Sequence, residues 1–252
     1  MNAKPSALNK IIQQDCLEGM SAMADDSVDC IVTSPPYNKK GLLGKTDPGN
    51  QIWSKFNIDY DTYGDDMPED EYKQWMVAVL DEMHRIIKPN GSIFFNHKPR
   101  RYKNRAYLPT DFISKSKAEL YQLIIWNRRN SPNIRNEILV PCTEHIYWLC
   151  KDKPKVFRNQ LSSEYKTEVW TIIAQKQKNH PAPFPEQLVS NCLLLSTEEG
   201  DLVLDPFMGS GTTARVCESM NRNWTGFELS EEYIKESTSL TTNLQDLIEN
   251  EI

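Results

Sequence analysis

Four consecutive residues, Ser34 to Tyr37, combine a hydroxyl, two prolines and an aromatic ring at the end of an apolar run. The prolines lack an N–H group and have a fixed φ, so they form a stiff, extended platform. An exocyclic amine of a nucleobase is a poor nucleophile because its lone pair is delocalised into the ring. Acceptors such as the Ser34 hydroxyl and the Pro35 carbonyl would localise that lone pair, and Tyr37 could stack on the base. The alternative is a strand that ends in a Pro-Pro turn with no catalytic role.

A second stretch has the composition of a ligand-binding turn. The apolar run Leu202 to Leu204 predicts a buried strand, and the glycine-containing turn from Asp205 to Thr213 precedes a predicted helix. Glycines let a ligand approach the backbone at a helix N-terminus. About twenty residues later, Trp224 to Glu228 predicts a second strand ending in an acid, a spacing that suits a carboxylate on ribose hydroxyls. The turn lacks Gly-Lys-Thr, so it is not a Walker A loop.

Together these stretches resemble one family. Thr-Ser-Pro-Pro-Tyr, ending at Tyr37, resembles the catalytic tetrad of DNA amino-methyltransferases that use S-adenosylmethionine, and Asp-Pro-Phe-x-Gly-Ser-Gly-Thr-Thr resembles their cofactor motif. The tetrad precedes the cofactor motif, which is the permuted order of the β group. The resemblance extends from Ile11 to about Ile234 and is weakest in 39–66 and 97–160. It implies a single methyltransferase domain over 1–252, with a doubly wound, mostly parallel α/β sheet of the Rossmann-like methyltransferase fold.

The resemblance also implies site residues. Ser34 and the Pro35 carbonyl, with Pro36 and Tyr37, would act on the target base. An Asp before the tetrad accepts from the adenine amino group of the cofactor in this family, a role that Asp15 would take unless it only caps a helix. The predicted cofactor residues are Asp15, Asp205, Phe207, Gly209, Ser210, Gly211, Thr212 and Glu228. No metal is implied, and Cys142, which follows a proline, is interpreted as structural because amine methylation needs no cysteine nucleophile.

The charge distribution bears on DNA binding. A net charge of −6 argues mildly against nucleic acid, but residues 98–158 carry fourteen Lys/Arg against five Asp/Glu, a local +9 that leaves −15 elsewhere. This basic stretch is compatible with a phosphate-binding face, or with chance clustering on a solvated surface. Because Arg and Asn suit reading of guanine and adenine edges, a DNA-recognition region is predicted within 97–160. The candidate DNA contacts are Arg100, Arg101, Arg128, Arg129 and Arg135.

Further patterns concern surroundings and partners. Six scattered cysteines without CxxC pairs, and no apolar stretch of membrane-spanning length, predict a cytoplasmic protein and no membrane partner. The long irregular segment from Asn38 to Asp66 could be a lid over the base. The stiff segment from His180 to Pro185, followed by a predicted helix, would contact the methionine end of the cofactor or serve as a linker.

The predicted activity is methyl transfer from S-adenosylmethionine to the exocyclic amine of a base flipped out of double-stranded DNA, as in restriction-modification systems. In the family, tetrads that begin with Ser accompany mostly cytosine N4 and those with Asp mostly adenine N6. Ser34 therefore favours cytosine N4, with adenine N6 as the alternative. A homodimer and a companion restriction endonuclease are the further partners considered. A release-factor-type glutamine methyltransferase would carry Asn-Pro-Pro-Tyr after the cofactor motif, and a non-catalytic DNA-binding relative should lack a motif residue; neither pattern is present.

Overall fold

The structure is a computed structural model that describes residues 8–38, 66–102, 105–129, 138–173, 185–235 and 237. Three predictions fall outside these residues. They concern nearly all of the proposed lid, the DNA contact assigned to Arg135, and the stiff segment that precedes Pro185.

Ten strands are found in the described chain. They are β1 (Lys10–Gln13), β2 (Val28–Thr33), β3 (Ile87–His97), β4 (Arg100–Tyr102), β5 (Arg105–Tyr107), β6 (Glu119–Asn127), β7 (Thr143–Cys150), β8 (Val169–Thr171), β9 (Leu202–Asp205) and β10 (Asn223–Glu228). Eight form one sheet in the order β1-β10-β9-β2-β3-β7-β6-β8, and β4 and β5 form a separate hairpin. Only β7 runs antiparallel to its neighbours in the large sheet. The predicted mostly parallel sheet is therefore confirmed.

The helices in the described chain include α1 (Cys16–Ser21), α2 (Glu69–Ile86), α3 (Thr110–Ile113), α4 (Glu186–Ser196) and α5 (Thr212–Ser219), with 3₁₀ turns at Arg158–Gln160 and Ser163–Tyr165. The longest, α2, begins after Pro68 with three acids in its first turn and has His84 and Arg85 in its last turn. The three acids and the Arg85 guanidinium interact favourably with the two ends of the helix dipole.

Successive side chains of β2 point to opposite faces of the sheet, so they contribute to the core on both faces. Cys30 and Val32 pack with residues of α4 and α5, whereas Ile31 packs with residues of α1 and α2. All three β2 side chains are fully buried. Helices therefore cover both faces of a parallel sheet, as the doubly wound arrangement requires.

The chain passes from α2 into β3 without an intervening turn. β3 begins at Ile87, directly after α2, and includes Lys88 to Gly91, with a register shift in its pairing with β2. A Cβ at Gly91 would lie 2.8 Å from the Asp29 carbonyl oxygen, so glycine permits this close approach of the two backbones. In the described part of the chain, no helix has the length and apolarity needed to cross a membrane.

Candidate active site

The tetrad and the glycine turn meet at one edge of the sheet. β2 and β9 are parallel neighbours, with Ile31 opposite Leu204, so both strands end at the same side. The Thr33 hydroxyl donates to Asp205 Oδ1 at 2.7 Å. A crevice at the carboxyl ends of parallel strands is the usual ligand site of such sheets.

The platform from Ser34 to Tyr37 is held from two sides. The hydroxyl oxygens of Ser34 and Tyr37 lie 3.0 Å apart, and the Tyr37 hydroxyl donates to Glu144 Oε2 at 3.1 Å. On the other side, the Tyr72 hydroxyl of α2 donates to the Pro36 carbonyl at 2.8 Å. Because the Pro36 carbonyl is engaged, the Pro35 carbonyl is the better candidate for an acceptor of the target amine.

Two buried residues that the sequence analysis missed connect to the platform. Asn96 is the second-last residue of β3, and Glu144 is the second residue of β7. The Asn96 amide nitrogen lies 2.9 Å from the Tyr37 hydroxyl, 3.1 Å from Glu144 Oε2 and 3.4 Å from Ser34 Oγ. Asn96 directly follows the apolar run Ile93 to Phe95. This pattern, a polar residue at the end of a buried strand, is the same one that identifies Ser34 as a candidate, and it could have identified Asn96.

Two cations lie beside Glu144. Arg128 Nη1 donates to Glu144 Oε1 at 2.7 Å, and Lys98 Nζ lies 4.0 Å from the same oxygen. Burial lowers the pKa of Lys98, although the Glu144 carboxylate opposes that shift. The Lys98 ammonium also lies over the Tyr37 ring, 5.6 Å from its centroid. Arg128 therefore belongs to the interior network of the site, and its predicted contact with DNA stays a prediction.

The predicted DNA contact at Arg100 requires a correction. Arg100 is buried and makes a bidentate pair with Glu69, with N–O distances of 2.8 and 2.7 Å, and its guanidinium stacks over the Tyr72 ring. A buried, paired guanidinium is not available to a phosphate. Arg101 and Arg129 are exposed, as a DNA contact would need to be.

Glu228 ends β10 and organises the glycine turn. Its Oε2 accepts from the Gly209 N–H at 2.8 Å, and its Oε1 accepts from the N–H groups of Leu229 and Ser230, both at 2.9 Å. A carboxylate has about four acceptor positions, so one remains for a ribose hydroxyl. The carboxylate thus suits the predicted cofactor role.

Asp205 occupies a different environment. Its side chain is buried, accepts from the hydroxyls of Thr33 and Thr213, and accepts from the Phe207 N–H. Burial raises the pKa of this carboxyl to about 6, against the lowering effect of those hydrogen bonds. Asp205 therefore links β2, β9 and α5 beneath the turn; a direct cofactor contact stays a prediction.

The turn itself is held by a residue that the sequence analysis did not select. Arg215 donates to the Ser210 carbonyl at 2.7 Å and to Thr212 Oγ1 at 3.2 Å. Gly211 has a φ of 76°, and a Cβ there would lie 2.0 Å from Ser237 Oγ, so this position requires glycine. The predicted roles of Ser210, Gly211 and Thr212 toward the cofactor stay predictions.

The two remaining predicted cofactor residues, Asp15 and Phe207, both make contacts within the fold. Asp15 is the N-cap of α1, and its Oδ1 accepts from the N–H groups of Leu17 and Glu18 at 2.8 and 3.3 Å. Asp15 therefore caps α1 through Oδ1, and its predicted contact with the adenine amino group of the cofactor stays a prediction. The Phe207 ring meets the Trp75 ring edge-on at 5.7 Å. Among the described residues, no group of three His, Cys, Asp or Glu side chains is arranged to hold a metal ion.

Comparison with known proteins assigns the family. A family model described as DNA methylase, of the N6/N4 type, matches residues 28–239. The chain belongs to this family. The match includes both the tetrad and the glycine turn, so the resemblance and the enzyme class, a DNA methyltransferase of N4-cytosine or N6-adenine type, are confirmed.

Relatives of this DNA methylase include the Type II methyltransferase M.BglII of Bacillus subtilis, which is 28% identical over 90% of this chain and 67% of its own length. M2.DpnII of Streptococcus pneumoniae is 27% identical over 89% of this chain and 86% of its own length. Only 56% of M.BamHI of Bacillus amyloliquefaciens is covered.

Two solved structures share the fold. The PvuII DNA methyltransferase, cytosine-N4-specific, has a TM-score of 0.74 and 21% identity over 91% of this chain and 84% of its own. The complex of M1.HpyAVI with S-adenosylmethionine has a TM-score of 0.59 and 23% identity over 91% of this chain and 98% of its own. The predicted methyltransferase fold is therefore confirmed.

Proposed function

We propose that this DNA methylase transfers a methyl group from S-adenosylmethionine to the N4 amine of a cytosine flipped out of double-stranded DNA. The observation that carries the proposal is the position of Ser34. Its hydroxyl lies at the carboxyl end of β2, hydrogen-bonded to Tyr37, beside the glycine turn at the end of β9. Ser-Pro-Pro-Tyr accompanies mostly cytosine N4 within the family, which favours this base over adenine N6.

The residues at the glycine turn fit the cofactor. Glu228 keeps one acceptor position for a ribose hydroxyl, and the left-handed glycines at 209 and 211 keep side chains off the turn. The neighbouring M1.HpyAVI structure carries the same cofactor. When bound, S-adenosylmethionine supplies an electrophilic methyl group.

The platform acts on the nucleophile. Ser34 Oγ and the Pro35 carbonyl accept the two N–H groups of the target amine, which localises its lone pair toward the methyl group. The Tyr72 hydroxyl, bonded to the Pro36 carbonyl, fixes the platform against α2. The Tyr37 ring lies 4.5 Å from the His97 ring, and base stacking on Tyr37 is part of the proposal.

The wider setting follows from the relatives' names. Type II methyltransferases act in restriction-modification systems, so we propose a companion restriction endonuclease. Arg101 and Arg129 are the exposed cations proposed to contact DNA phosphates. The homodimer and the cytoplasmic location stay predictions.

The test is to express the chain in a bacterial host without endogenous DNA methyltransferases. The DNA of that host is then digested to nucleosides, which are identified by mass spectrometry. The proposal predicts N4-methylcytosine. N6-methyladenine alone would retain the methyl transfer but overturn the choice of base, and unmodified DNA would overturn the proposal.

A further inference from the structure

We propose that Glu144 is a positioning residue, which orients the hydrogen bonds through Tyr37 so that Ser34 offers its lone pairs to the target amine. The inference rests on the proposed function, since it assigns a role in the same reaction. It follows from the donor and acceptor capacities of four neighbouring side chains.

Glu144 is a buried acceptor. It is 5% exposed, and Arg128 Nη1 lies 2.7 Å from its Oε1. A carboxylate paired with a guanidinium is ionised, and an ionised carboxylate has no hydrogen to donate. Every hydrogen bond at Glu144 must therefore be donated by its partner.

Because Glu144 can only accept hydrogen bonds, the orientation of the Asn96 amide is determined. The Asn96 nitrogen lies 3.1 Å from Glu144 Oε2, and a flipped amide would place an oxygen against the carboxylate instead. The NH₂ group thus faces the site and donates to the Tyr37 hydroxyl oxygen at 2.9 Å. Asn96 offers Tyr37 a hydrogen and accepts none from it.

The single hydroxyl hydrogen of Tyr37 is then assigned. Its neighbours include Glu144 Oε2 at 3.1 Å, the Asn96 nitrogen at 2.9 Å and Ser34 Oγ at 3.0 Å. Glu144 requires the hydrogen, so the Ser34 hydroxyl donates to Tyr37. With its own hydrogen directed into the protein, Ser34 Oγ presents lone pairs outward, where the amine N–H groups must be accepted.

Without the negative charge of Glu144, the direction of the hydrogen bonds from Ser34 through Tyr37 would no longer be fixed. Tyr37 could then donate to Ser34, and the Ser34 hydrogen could turn toward the amine, so that two donors would face each other. The expected consequence is a slower chemical step with normal cofactor affinity. One misdirected hydrogen bond in a buried site corresponds to a rate loss of about ten- to hundredfold.

The test is a double-mutant cycle on single-turnover methyl transfer to duplex DNA, at saturating S-adenosylmethionine and DNA. Glu144→Gln should lower the rate about ten- to hundredfold in the parent, but less than about twofold in Tyr37→Phe, where the relaying hydroxyl is gone. Glu119→Gln, an exposed acid on the neighbouring β6, should leave the rate unchanged.

If Glu144→Gln lowers the rate equally in the parent and in Tyr37→Phe, or does not lower it at all, the inference is overturned while the proposed function stays intact. A parent that transfers no methyl group would overturn both. If Glu144→Gln leaves Arg128 unpaired and fails to fold, Glu144→Gln with Arg128→Met removes both charges, and the same cycle is measured against Arg128→Met.

Discussion

Asp205 illustrates at the residue scale how burial changes a carboxyl group inside the site. The side chain accepts three hydrogen bonds, yet burial still raises its pKa from 3.8 to about 6. The folded state therefore binds this proton more tightly than the unfolded state does. The contribution of Asp205 to the free energy of unfolding falls as pH rises from about 4 to about 6 and is constant below that range.

Asp205→Asn removes this titration and keeps an oxygen for Thr33 and Phe207. The free energy of unfolding of the variant, minus that of the parent, should rise by about 1–3 kcal/mol between pH 4 and pH 7. Urea unfolding at a series of pH values measures the difference. A difference that is independent of pH would show that Asp205 does not have a raised pKa.

Residue types predicted part of the site and missed part of it. The sequence selects Ser34 and Glu228 because each follows a buried run in a recognisable motif. Glu144 was missed because it lies within the run Thr143–Cys150, and its partners Asn96 and Arg128 come from other strands. An acid inside an otherwise apolar strand was the available signal, since a buried charge needs partners.

At the scale of elements, α2 braces the platform and the β4–β5 hairpin. Tyr72 from α2 bonds the Pro36 carbonyl, and Glu69 at the start of α2 pairs with Arg100 on β4. Arg100 was interpreted as a surface cation because its partner lies 31 residues earlier in the chain. Local sequence contains no sign of such a pair.

Arg100→Met should lower the free energy of unfolding by about 2–4 kcal/mol, because Glu69 loses its bidentate partner in a partly buried position and keeps the more distant Lys73, 3.9 Å away. Arg101→Met, the exposed neighbour on the same strand, should change it by less than about 0.5 kcal/mol. Chemical denaturation of both variants makes the comparison. Equal stabilities would contradict the structural role assigned to Arg100.

At the scale of the whole molecule, the sheet order explains why distant motifs form one site. The Ser-Pro-Pro-Tyr motif is early in the chain and the glycine turn is late, but β2 and β9 are neighbours. The parallel topology and the shared crevice were predictable from the order of strands and helices. The β4–β5 hairpin and β8 were not, because three-residue strands contain too few positions to show alternation.

The basic middle of the chain carries less free charge than its composition indicates. Arg100 and Arg128 are paired with acids inside the fold, whereas Arg101 and Arg129 are exposed. DNA binding should therefore depend on the exposed pair, and each lost phosphate contact should reduce the salt slope by about 0.9.

Arg101→Ala with Arg129→Ala should weaken duplex binding and reduce the slope of log affinity against log salt by about 1–2, with cofactor affinity unchanged. Lys10→Ala, on the opposite edge strand of the sheet, is the control and should keep the parent slope. Fluorescence anisotropy over a range of salt concentrations measures both. If the double variant has the same salt dependence as the parent protein, the DNA-binding surface lies elsewhere.

The most direct measurement of the central claim is the single-turnover rate of methyl transfer by Ser34→Ala to duplex DNA, at saturating S-adenosylmethionine. Because the hydroxyl is proposed to act on the amine alone, the rate should fall at least about hundredfold. The dissociation constant for the cofactor, measured by calorimetry, should stay within about twofold of the parent value. If Ser34→Ala transfers the methyl group as fast as the parent protein, the proposed role of the Ser34 hydroxyl is contradicted.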